Sequence, residues 1–142
     1  METLGFAANQ ANWPDGVMHA EIYIGASKDQ PLEEFARRIF SRLGVAHFEE
    51  RESSNYVDGH YFRSTAIGLE VVIAMADTQG LEEYRFCLTL TAEQSAGYDT
   101  GYLQDHAQTL ARLLSAHGWR CFVPDDVTTI RGEAEGTIYE AQ

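Results

Sequence analysis

Positive charge is what this chain has least of: 10 Lys and Arg stand against 22 Asp and Glu, a net charge of −12 over 142 residues. A surface so short of cations repels phosphate backbones and anionic bilayers, which argues against nucleic-acid and membrane-surface partners. Cysteine is scarce too. Cys87 and Cys121 both fall inside apolar strand-like runs and read as buried free thiols of a reducing compartment ahead of a disulfide. The longest apolar stretch, around 71–76, is far too short to cross a bilayer as a helix. Met1-Glu2-Thr3-Leu4 offers neither a basic nor an apolar leader region, so no secretory signal and a cytoplasmic location are expected.

Catalytic and cofactor signatures are missing as well. The 12 glycines are dispersed, and neither GxGxxG nor GxxxxGK occurs, so no phosphate cradle is expected. His19, His47, His60, His106 and His117 are scattered with no HExxH spacing, so neither metal nor cofactor is expected. No GxSxG elbow frames a serine. Apolar neighbours around Cys87 raise a thiol's pKa instead of activating it.

What is present is the composition of a folded domain. Hydrophobic residues make up 44% and aromatics 11%, with 7 Phe, 7 Tyr and 2 Trp, which sets this acidic chain apart from disordered ones. A single domain over 1–142 is expected, with an irregular lead-in at 1–16 and a polar tail at 125–142. Residues 17–26 predict a strand with Ile22 and Ile24 on one side and Tyr23 opposite. Asp29 and Pro31 then open a helix whose Leu32, Phe35, Ala36, Ile39, Phe40 and Leu43 repeat on one face, and Gly44 stops it.

Three strand-like segments follow: 46–66, bent near Asp58-Gly59, then 69–76, then 84–91 after a turn at 77–80. In the last, Tyr84, Phe86, Leu88 and Leu90 alternate with Arg85, Cys87, Thr89 and Thr91, which predicts one buried and one wetter face. A second helix spans 101–117, with Leu103, Ala107, Leu110, Leu113 and Leu114 as its stripe, Asp99 or Thr100 as cap and Gly118 as stop. Residues 119–123 form a short strand closed by Pro124, and 137–139 suit an edge. The fold class is therefore α+β: a two-layer sandwich in the order β-α-β-β-β-α-β. It has a mostly antiparallel sheet of about five strands and two amphipathic helices.

One segment concentrates polar chemistry: Phe48 to Phe62, dense in carboxylates, aromatics, Asn and His and predicted on a bent strand or hairpin. It reads either as an edge strand kept soluble by its charges or as a binding surface. In the second reading, Glu49, Glu50, Glu52 and Asp58 meet a partner's Lys and Arg, Tyr56, His60 and Tyr61 supply rigid contact area, and Asn55 belongs to the same interface. Glu82-Glu83 and Asp125-Asp126 read as solvated faces.

The stretch Glu52-Ser53-Ser54-Asn55-Tyr56-Val57-Asp58-Gly59-His60-Tyr61-Phe62, followed by Gly68-Leu69-Glu70-Val71-Val72-Ile73, resembles small immunity proteins of bacterial polymorphic toxin systems, the contact-dependent growth inhibition class in particular. The resemblance implies an inhibitor that binds and neutralises a cognate basic toxin domain, such as a nuclease, by steric and electrostatic blocking. It implies no catalysis, and it carries over no individual contact residue. Two other readings stay open: a small-molecule-sensing or regulatory α+β module, and a small enzyme built on Glu50, Asp58 or His60. The oligomeric state is not encoded in any pattern found.

Overall fold

The computed structural model describes residues 17–26, 29–54, 56, 59–66, 69–77, 80–93, 100–125 and 135–142. Its elements are β1 (Val17–Ile24), α1 (Leu32–Arg42), β2 (Glu49–Glu52), β3 (His60–Ala66), β4 (Leu69–Met75), β5 (Phe86–Glu93), α2 (Thr100–Ala116), β6 (Cys121–Pro124) and β7 (Gly136–Tyr139). The strands form one seven-stranded sheet in the order β2-β3-β4-β5-β1-β6-β7, and every neighbouring pair is antiparallel. The α+β class and the two helices agree with the sequence pattern. The expected count of about five strands is corrected to seven. The segment 46–66 is a hairpin of β2 and β3, because its chain reverses between Glu52 and His60. The tail supplies β7.

Strand periodicity sets the layers. Ala20, Ile22 and Ile24 of β1, Val71 and Ile73 of β4, and Phe86, Leu88 and Leu90 of β5 share one face. Both helices cover it: Phe35, Ala36, Ile39 and Phe40 of α1 and Leu103, Ala107, Ala111 and Leu114 of α2 are fully buried there. Phe35 stacks on Phe86 with centroids 4.0 Å apart and meets Trp119 edge-on at 6.2 Å. Leu113, assigned to the stripe by its spacing, is 38% exposed, and Ala111 takes the buried position one row over. Pro31 stands at the helix cap, one residue before the first turn, and Glu33 and Glu34 follow it. Gly44 (φ 76°) and Gly118 (φ 103°) close the two helices in the left-handed region, as their placement predicts.

The opposite face departs from expectation. It carries no helix among the described residues, yet its centre is dry: Tyr23 is 0% exposed, Glu21 2%, Val72 4%, Thr91 5% and Thr89 8%. A second apolar cluster of Tyr23, Leu81, Tyr84 and Phe122 lies on this side. Tyr84 precedes β5 and packs 5.9 Å from Phe122, so it does not share the face of Phe86 as the alternation suggested. Both cysteines are free thiols, as expected. No helix among the described residues is long and apolar enough to cross a membrane.

Candidate functional site

The β2–β3 hairpin is fixed from below by aromatics. Phe48 stacks on Phe40 of α1 at 4.8 Å and meets Phe62 of β3 edge-on at 6.0 Å. Above this anchor the strand pairing sorts the polar side chains. Glu49 pairs with Arg63, Glu50 with Phe62, Arg51 with Tyr61 and Glu52 with His60. Alternation therefore sends Glu50, Glu52 and His60 to the helix side of the sheet and Glu49, Arg51 and Tyr61 to the other. The carboxylates expected to form one surface stand on two faces of the hairpin. Asn55 and Asp58 lie outside the described residues.

Ion pairs occupy much of this charge. Glu49 accepts hydrogen bonds from Arg51 and Arg63, both at 2.6 Å, and these donors hold its carboxyl below the usual range. Arg63 also reaches Glu70 at 2.6 Å, so one guanidinium ties β2, β3 and β4 together, and the two carboxylates raise its pKa. On the helix side His60 Nδ1 sits 3.0 Å from Glu50 Oε2. Glu52 is exposed at the strand end. Tyr56 stacks on Tyr61 with centroids 4.6 Å apart. Burial pushes the Tyr56 phenol well above its ordinary range, with smaller contributions from Tyr61, Cys87, Glu70 and Glu21. Tyr56 is thus half-buried against Tyr61, on the helix-free side of the hairpin.

The sheet gathers further acids that sequence reasoning missed. The register places the ends of β1, β2, β4 and β7 and the starts of β3, β5 and β6 at one end of the sheet. The loops there carry Asp29, Asp77, Glu82, Glu83 and Glu140, beside Glu52 of the hairpin. Among the described residues, Arg85 and Arg120 oppose them. Arg120 pairs with Glu83 and, at 3.2 Å, with Glu140. Arg85 donates to the Gln30 carbonyl at 3.3 Å. Glu82 accepts the Gly80 N–H at 3.0 Å, which lowers its pKa and keeps it charged. No run in the sequence announces this gathering, because only the strand order brings the four loops together.

A second polar group lies on the helix-free face. Tyr23 Oη donates to Glu21 Oε1 at 3.0 Å, and Cys87 and Thr89 are cross-strand neighbours on β5. Burial pushes the Glu21 carboxyl well above its ordinary range, against the pull of the Tyr23 hydrogen bond. Burial and the nearby Glu21 push the Cys87 thiol up, and burial pushes Cys121 to about 12. These are poor nucleophiles at neutral pH. Among the described residues no three His, Cys, Asp or Glu side chains are placed to hold a metal ion.

Compared with known proteins, the chain matches no family model, no curated protein and no solved structure.

Proposed function

We propose that this chain is an immunity-type inhibitor that binds a cognate basic toxin domain and blocks it sterically and electrostatically, without turnover. The observation that carries this reading is the acidic end of the sheet, where Glu52, Asp77, Glu82, Glu83 and Glu140 stand against Arg85 and Arg120. These carboxylates are exposed, so they attract a cationic partner over a Debye length without the desolvation that burial imposes. Carboxylates presented this way compete with a phosphate substrate for a basic cleft. Glu49, Glu50, Glu52, Tyr56, His60 and Tyr61 form the flank of that end and belong to the proposed contact region.

The test is capture of partners from the host cytosol at low and then high salt, followed by kinetics with the purified partner. A basic polypeptide should be retained at low salt, and its expression should kill cells unless this chain is co-expressed. Reversing Asp77, Glu82 and Glu83 to Lys should lower its on-rate about tenfold at low salt and leave the off-rate nearly unchanged. Equal on-rates for wild type and the triple reversal would sink the reading.

A further inference from the structure

The two outer strands of the sheet are built oppositely. β2 is Glu-Glu-Arg-Glu and is blunted by charge, as edge strands that must not pair usually are. β7 is Gly-Thr-Ile-Tyr, with no charge, a β-branched centre and Ile138 48% exposed. No described strand covers its outer edge. Its inner edge is saturated. Asp125 N–H donates to the Glu135 carbonyl at 2.8 Å, and the register then turns Thr137 and Tyr139 toward β6. The N–H and C=O groups of Gly136 and Ile138 point outward.

Carboxylates bracket this edge, which no described strand covers. Asp125 and Glu135 stand at one end, and Glu140 and Glu83 stand at the other around Arg120. A second copy of this chain would bring the same acids to the same edge at a net −12 per chain. A strand with a short β-branched centre and Lys or Arg at both ends matches the edge in hydrogen bonding and in charge. We infer that β7 is a strand-addition site, and that its occupant is an extended, basic-flanked segment of the partner protein, added antiparallel as an eighth strand. The inference rests on the proposed basic partner and places part of the interface at the sheet edge opposite the β2–β3 hairpin. Gly136 is required for it: a Cβ there would lie 2.2 Å from the Val123 carbonyl and 2.8 Å from the Phe122 ring, so only glycine lets β7 lie flat on β6.

The probe is an acetylated, amidated octapeptide, Lys-Lys-Thr-Val-Thr-Val-Lys-Lys, titrated into the isotope-labelled protein and followed by backbone amide shifts. Saturable shifts should centre on Gly136, Ile138 and Glu140 and should vanish when glutamate replaces lysine in the peptide. Ile138→Pro removes one outward donor and spares the inner ladder, and it should weaken binding at least about tenfold. Ile138→Lys keeps the backbone and should weaken it through like charge, with unchanged melting confirming the fold. Shifts centred on β2, or binding untouched by both variants, would overturn the site. So would a wild-type dimer that Ile138→Lys dissolves. The peptide needs no toxin, so the two ideas fail separately. Docking without any captured basic protein would overturn the toxin reading alone, and capture undiminished by Ile138→Pro would overturn the edge alone.

Discussion

The two faces of the sheet are equally dry at their centres and are stabilised by different means. On the helix side, Ile22, Ile73, Leu88, Phe35 and Leu114 exclude water with apolar surface, which costs nothing to dehydrate. On the other side, the same strands bury Glu21, Tyr23, Thr89 and Thr91, with Cys87 half-buried beside them. On that face burial works against charge: it pushes the Glu21 carboxyl and the Cys87 thiol up, toward their neutral forms. One face is therefore indifferent to pH and the other is not. In an acidic protein this means that not every carboxylate is part of the field a partner feels.

The sharpest way to break the comparison is Phe35→Ala. It removes a fully buried ring stacked on Phe86 and edge-on to Trp119, and it should cost about 3–5 kcal/mol at every pH in chemical denaturation. His19 gives the next effect. It lies on the helix-free face opposite Thr91, and burial lowers its pKa from 6.5 to about 4. The unfolded chain then takes up a proton that the native state refuses, so stability should fall as pH drops from 6.5 toward 4. The loss should be about 2 kcal/mol and absent in His19→Gln. Glu21 sharpens the comparison with the opposite sign. Its raised pKa makes the native state hold a proton that the unfolded chain releases above 4.5, so its cost grows as pH rises. Glu21→Gln should be more stable than wild type at pH 8, seen as a higher Tm, with the advantage gone at pH 4. A constant difference across that range would mean that Glu21 is not protonated in the native state.

The first face was legible in the sequence and the second was not. The spacing of Leu32, Phe35, Ala36, Ile39 and Phe40 and the alternation in β4 and β5 report burial directly, because apolar residues have one reason to repeat. Glu21, Thr89 and Thr91 occupy positions that alternation assigns to the wetter side, and only their position mid-sheet makes them dry. The hairpin inside 46–66 was legible only as an alternative to a bent strand, because β2 is entirely charged and exposed, with no apolar alternation to mark it. The candidate site was legible as a run of residues and not as a surface. Alternation divides Glu49 and Tyr61 from Glu50 and His60, and the acids from distant loops join only through strand order.

That order also has a consequence for how the protein comes into being. β1 leaves the ribosome ahead of the other described strands, but its partners are β5 and β6, with Val17 waiting for Glu93 and Ile24 for Cys121. The β2–β3–β4–β5 meander can zip as it emerges, each strand beside its predecessor, while β1 stays open on both sides until most of the chain has been translated. Folding is thus gated by its earliest segment. A nascent chain that stops before β5 leaves Ala20, Ile22, Tyr23 and Ile24 without a sheet, a sticky fragment for quality control to remove.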